Sequence, residues 1–299
     1  MTAIGCGDGG HRSASVRTGA STPATPRPSA PATASASTST LAAVTRFLNR
    51  YVTSDGRVIR HDHGGDIVSE GQAYAMLIAE VAKRPALVRT IWSWTNERLG
   101  RADGLFSWHA TGSGQILNPQ PATDADVLIA YALLRYRGAD QAALHAAGRG
   151  VAAAVLANEV RDAARRAPLL VAGRWAKSTS PPTVDPSYLM PGVFEALARL
   201  TGDRRWSRAG AAAVGAVADV TDGGRRLPPD WAPLIDGRLV PTAEPGGPAG
   251  VQYGFDAARL PLWFATGCDP DARTPARWPR AGGATYSGRR TAPVRAHSA

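Results

Sequence analysis

The sequence lacks several things, and each lack excludes a class of protein. No stretch among its 299 residues approaches the ~18 consecutive apolar residues that a membrane-spanning helix requires. There are only two cysteines, Cys6 and Cys268, too few for a disulfide framework. Cys268 has no His or Cys neighbour in sequence and reads as a buried or incidental thiol. Convincing two-residue alternation of apolar and polar side chains is missing, which argues against a β-sheet protein. No Ser-His-Asp order, nucleotide-binding loop or zinc-type spacing is present. The nearest thing to a metal motif is His61-Asp62-His63 with Asp66. It lies in a Gly-rich loop and lacks a helical ligand pair, so no metal and no other cofactor is expected.

Neutrality is lacking too. The chain carries a net charge of +10. A nucleic-acid partner would need that charge on a folded surface, and its distribution speaks against this. Residues 1–50 hold five Arg against one Asp, and residues 270–299 hold six Arg against one Asp. What lies between is close to neutral, with no basic motif interleaved with aromatics. Basic tails can bind phosphate or anionic surfaces, but these two read as solvated arms.

What is present is a folded middle between two low-complexity ends. Residues 13–40 are almost entirely Ser, Thr, Ala, Pro, Gly and Arg, which cannot bury enough apolar area to offset chain entropy. Residues 1–40 are therefore expected to be a disordered linker. Ala3-Ile4-Gly5-Cys6 is similar to the end of a bacterial lipoprotein signal, so Cys6 is a possible lipid tether. The basic and apolar regions of such a signal do not fit into the five residues before it. Residues 41–268 form the expected domain. Ala- and Leu-rich stretches predict helices near 41–48, 69–84, 86–99, 123–137, 140–158, 186–201, 203–220 and 255–265. The class is all-α, with helices arriving in pairs. Residues 269–299, rich in Pro, Gly and Arg, read as a disordered basic tail.

Three acids share one local setting. Glu70 in Ser69-Glu70-Gly71, Asp124 in Thr123-Asp124-Ala125-Asp126, and Asp256 in Phe255-Asp256-Ala257 each stand at a helix start. Capping alone explains acids there, with Ser69 and Thr123 as N-caps and the carboxylates in the favourable end of the helix dipole. Two details go beyond capping. Gly71, a poor helix former, suggests that space is needed beside Glu70. Asp124 and Asp126 put more charge into one turn than a cap requires. A pair of carboxylates is what glycoside hydrolysis needs, one as acid at the leaving oxygen and one acting on water or sugar. Trp108, Tyr188 and Trp231 are candidate aromatic platforms for sugar rings, the alternative for any Trp being a place in the core.

Four segments, in order, resemble glycoside hydrolase family 8. They are Ser69–Met76, Ala122–Leu134, Asp185–Pro191 and Phe255–Pro261. The resemblance implies an (α/α)6-barrel toroid of helical hairpins and an inverting, endo-acting hydrolase of β-1,4-linked polysaccharide. Cellulose-type glucan is the first expectation, with chitosan and xylan next. It implies Glu70 as general acid, Asp256 as general base, and Asp124 holding the distorted sugar. Trp108, Tyr188 and Arg259 match substrate-binding positions. Phe255 stands where the family often has Tyr, and Tyr136 and Asp140 replace a small and an aromatic residue. A monomer at the cell envelope or outside the cell is expected, touching membrane only through a lipid on Cys6. Twelve helices close such a barrel, and about eight are legible, so an incomplete barrel with impaired turnover is expected. The alternative is a catalytically impaired glycan-binding protein on the same scaffold.

Overall fold

A computed structural model describes residues 33–163, 166–247 and 250–265. Cys6, Cys268 and the basic tail fall outside these residues. The main helices are α1 (Thr33–Tyr51), α2 (Ser69–Val81), α3 (Pro85–Leu99), α4 (Thr123–Arg135), α5 (Gln141–Asn158), the single turn α6 (Arg174–Lys177), α7 (Pro191–Thr201), α8 (Arg204–Val220) and α9 (Leu260–Ala265). The helix α1 begins eight residues before the expected start at Leu41. Pro31 is the last proline ahead of it, and no residue between Thr33 and Leu41 forbids helical backbone.

The helices pack as hairpins in a toroid. The pairs α2–α3, α4–α5 and α7–α8 pack against each other in sequence. Across the pairs, α2 packs on α4, α4 on α7 and α7 on α9. The first member of each hairpin therefore lies inside and the second outside. The burial of α4 shows what an inner position demands: every residue from Thr123 to Leu134 is buried. A helix enclosed on all sides cannot be amphipathic, which explains the run Val127-Leu128-Ile129-Ala130. The outer helix α8 buries one stripe, including Trp206, Ala209, Ala213 and Val217. Pro191 at the first position of α7 and the carboxylate of Asp203, accepting from the Arg205 amide at 2.9 Å, start these two helices.

Two departures from the family pattern answer each other. The Tyr136 hydroxyl donates to the Asp140 carboxylate at 2.6 Å across the α4–α5 connection.

The all-α class holds, with short strands between the helices. Among the described residues, eight short strands form three small antiparallel sheets: β1 (Ile67–Val68), β2 (His109–Ala110) and β3 (Ile116–Asn118); β4 (Val160–Ala163) and β5 (Arg166–Leu170); and β6 (Thr183–Val184), β7 (Ala232–Ile235) and β8 (Arg238–Leu239). Strands of two to five residues are too short for alternation to be read. They tie together the loops at the helix starts. Val68 pairs with His109, the Ala172 amide donates to the Thr183 carbonyl at 3.0 Å, and Val184 pairs with Ala232.

The His61-Asp62-His63 run is a single 3-10 turn. His61 Nε2 lies 3.0 Å from the Arg50 carbonyl. The Asp66 carboxylate is shared between Arg60 and His109 Nε2, the latter at 2.8 Å.

Candidate active site

The three acid-bearing helix starts meet at one rim. The start of α2 is fixed by the small sheet beside it, where the Ser69 amide donates to the Trp108 carbonyl at 3.0 Å. The start of α4 is held at two points. The Thr123 amide donates to the Ala172 carbonyl at 3.2 Å, and the Thr123 hydroxyl donates to the Val171 carbonyl at 2.7 Å. Ser69 and Thr123 are therefore not the N-caps their sequence positions suggest. Val68 and Ala122, in extended backbone, occupy the cap positions without side-chain caps. The loop contacts replace a local cap, because tertiary partners satisfy the backbone there.

The role expected of Gly71 also needs correction. A Cβ at Gly71 would meet Val68 and Val58 side-chain carbons at 3.6 and 3.8 Å, ordinary contact. No space beside Glu70 depends on it.

Asp256 lies on a segment that a fourth acid positions. Asp230 Oδ1 accepts from the amides of Gly254 and Ala257 at 3.0 and 2.7 Å. Gly254 is needed for this approach, since a Cβ there would sit 2.3 Å from Asp230 Oδ2. Phe255 points outward and is 96 % exposed, while its neighbour Asp256 lines the cleft.

Arg259, one helical turn after Asp256, gathers the carboxylates. Its Nη1 donates to Glu70 and, at 3.3 Å, to Asp124 Oδ2. Its Nη2 donates to Asp256 Oδ1 at 2.6 Å and to Ser187 Oγ at 3.2 Å. The planar fork suits this task, because its donors project in fixed directions. The guanidinium also lies 5.8 Å from the Tyr188 ring centre, within cation–π range. Burial lowers the Arg259 pKa to about 10, which leaves it charged at neutral pH.

One cation faces a concentration of buried acid. Burial, and then the charge of Asp185, pushes the Asp124 carboxyl well above the usual range. Asp124 is only 4 % exposed, and its Oδ1 has no hydrogen-bond partner among the described residues. Burial, followed by Asp230 and Glu244, raises Asp256 to about 6. Asp126, two residues beyond Asp124, accepts from the Phe106 amide at 3.0 Å, deep in the protein. With Glu159 it forms a second, fully buried acid pair behind the site. Burial, then Glu159, drives Asp126 up, and burial raises Glu159 to about 8.

The carboxylates open into a cleft of about 450 Å³. Glu70, Asp124, Asp256, Trp108, Tyr188 and Arg259 all line it, together with Trp231. Sequence reasoning missed Trp175, which also lines the cleft with its ring centre 6.4 Å from that of Trp231. It missed Asp230 and Glu159 as well, and it singled out Asp126 without giving it a role. Trp175 follows a Gly-Arg pair and is the second residue of a single helical turn, and Glu159 follows the end of α5. Neither carries a local sign of its place. Asp185 and Ser187 lay within a quoted motif without a role. The Asp185 carboxylate accepts from the Ser187 amide at 2.8 Å and so shapes the turn that brings Ser187 to Arg259.

Known proteins resemble this chain along most of its length. An endoglucanase from Cellulomonas uda is 30 % identical over 239 residues, covering 78 % of this chain and 65 % of that protein. A probable endoglucanase from Novacetimonas hansenii is 30 % identical over 223 residues, covering 73 % and 64 %. The chain thus spans just under two thirds of the length of these relatives. The solved structure of the endo-β-1,4-glucanase CMCax from Acetobacter xylinum matches with a TM-score of 0.67 and 28 % identity, over 78 % of this chain and 74 % of that one. The matched structures are (α/α)6 barrels, in keeping with the toroid of helical hairpins described above. The sequence profile of glycosyl hydrolases family 8 matches residues 29–277, and the chain belongs to that family.

Proposed function

We propose that this protein is an endo-acting hydrolase of β-1,4-linked glucan of the cellulose type, working with inversion at the anomeric carbon. One observation carries the reading. Three carboxylates from helix starts 54 and 132 residues apart converge on a single guanidinium, in a cleft walled by Trp108, Trp175, Tyr188 and Trp231. The endoglucanase names of the relatives support the choice of glucan. A polymeric substrate further implies work outside the cytoplasm.

In this mechanism Glu70 donates a proton to the leaving glycosidic oxygen. Asp256 takes a proton from water, which attacks the anomeric carbon from the opposite face of the ring. A base near pH 6 is ionised at neutral pH and still accepts a proton, as general-base catalysis requires. Asp124 Oδ1, buried and unpartnered among the described residues, is suited to accept from a sugar hydroxyl. Inversion needs the two working carboxyl groups roughly 6.5–9.5 Å apart, with water between them. Arg259 now bridges Glu70 and Asp256. Proton donation by Glu70 therefore requires the guanidinium to let go of it, and the entering sugar ring supplies new partners for both.

The test is reducing-sugar release on cellulose-, chitosan- and xylan-type polymers, with proton NMR of the first anomer formed. The reading expects release from the β-1,4-glucan, an α-anomer first, and loss of about 10³-fold or more in Glu70→Gln. Retention of the β-configuration would overturn the inverting assignment. Glycan binding without turnover, unchanged by Glu70→Gln, would favour a binding protein on the hydrolase scaffold.

A further inference from the structure

A second depression lies on the outside of the toroid, away from the carboxylates. It has a volume of about 870 Å³, and its lining includes Trp94, Arg57, Arg89, Arg98, Asp55 and Glu97. No residue is shared with the lining of the catalytic cleft. Three arginines in one groove suggest an anion site at first sight, but their pairing argues otherwise. Arg57 Nε lies 2.9 Å from Asp55, Arg98 Nε 3.4 Å from Glu97, and Arg89 Nη1 3.8 Å from Asp140. Each cation has its own carboxylate, so the groove presents little net charge to a ligand. It presents instead many hydrogen-bond donors beside carboxylate and hydroxyl acceptors, the last from Thr90, Ser93 and Ser113.

A ligand matched to that surface is neutral, rich in groups that both donate and accept, and flat on one side. A pyranose chain meets all three conditions, with its axial C–H face suited to an aromatic ring. Trp94 offers the ring. It is half-buried and packs on the core, and a Cβ at Gly114 would come within 3.1 Å of Trp94 Cζ2, so the bare glycine lets the hairpin turn seat the indole closely. Arg57 fixes the same hairpin by donating to the Gly112 carbonyl at 2.6 Å.

The hairpin also links the two places. Ser113 at its turn lines the groove, while Asn118 at the end of β3 lines the catalytic cleft. They are five positions apart, at most about 17 Å of strand.

From the balanced charge, the seated Trp and the shared hairpin, we propose that this groove is a second glucan-binding site, which holds the polymer while the cleft cuts it. The proposal rests on the β-glucan reading above. Its occupant is the same neutral β-1,4-glucan, bound without chemistry. The site matters for long chains and is irrelevant to oligomers short enough to occupy the cleft alone.

The experiment compares wild type with Trp94→Ala and Ser93→Arg. The latter fills the groove from an exposed position without removing a core contact. Two readouts are taken: retardation in native gels containing hydroxyethyl cellulose, and kcat/KM on cellopentaose. The expected result is a loss of about five- to tenfold in polymer affinity in both variants, with cellopentaose turnover unchanged. Unaltered retardation in Ser93→Arg overturns the proposal, as does a parallel fall of both readouts. Retardation by inorganic polyphosphate that Ser93→Arg strengthens, with none by the cellulose ether, overturns it in favour of an anion site. If wild type neither binds the polymer nor cleaves cellopentaose, the functional reading itself has failed. Cleavage of cellopentaose with indifferent groove variants condemns the groove alone.

Discussion

Glu159→Gln tests the physical account of the buried acids behind the site. Glu159 and Asp126 are fully buried, and neither Glu159 carboxyl oxygen has a hydrogen-bond partner of good geometry among the described residues. The nearby Thr123 hydroxyl donates instead to the Val171 carbonyl. A charge so placed is costly, and burial accordingly raises Glu159 from its usual 4.5 to about 8. The folded protein thus keeps a proton that the unfolded chain releases above pH 4.5. Stability from this group is complete below pH 4.5, falls as pH rises, and is gone once pH passes about 8. At about 1.4 kcal/mol per pH unit, the interval between those values amounts to on the order of 5 kcal/mol, shared with Asp126 because the two acids repel. Gln carries no titrating proton. The variant should therefore be close to wild type at pH 5, increasingly more stable as pH rises to about 8, and more stable by a constant margin of several kcal/mol beyond it. Urea unfolding at unit pH steps from 5 to 9 measures the two curves. Parallel curves would refute the reasoning. Uniform destabilisation by about 2 kcal/mol or more would show that Glu159 makes a hydrogen bond that Gln cannot replace.

Four further outcomes follow from the site. The acid limb of kcat/KM should fall near pH 6, with activity lost as pH drops through that value and Asp256 takes up a proton. Asp230→Asn keeps an acceptor for Gly254 and Ala257 but removes a neighbouring charge, so a pH–rate series should show the limb moving to lower pH. Arg259→Lys retains a cation but loses the fork that reaches Glu70, Asp256 and Ser187 together. Steady-state kinetics should show kcat down by about 10²-fold, with the melting temperature little changed. Gly254→Ala and Gly71→Ala should separate sharply. The first drives a methyl into the Asp230 carboxylate and should disable turnover, while the second meets only ordinary contacts and should be neutral or stabilising by up to about 1 kcal/mol in thermal unfolding.

The sequence by itself determined the elements that repeat locally. Helical stretches with Ala and Leu, closed by Pro and Gly, gave α2, α3, α5 and α8 to within a few residues, because helix formation is a nearest-turn property. It also determined which acids begin helices, since Glu70, Asp124 and Asp256 each stand where an Ala- or Leu-containing helical stretch begins, even though Ser69 and Thr123 do not cap it. Only the tertiary structure decided what those acids do. Asp124 and Asp126 share one helical turn and are indistinguishable in sequence, yet one lines the cleft and the other accepts from Phe106 in the interior. The short strands, the pairing of Arg259 with Glu70 across 189 positions, and the hold of Asp230 on the Asp256 segment were likewise beyond local reading. Each depends on a partner distant along the chain, and a carboxylate's role is set by what surrounds it in space: burial, neighbouring charge, and the single guanidinium that three acids must share.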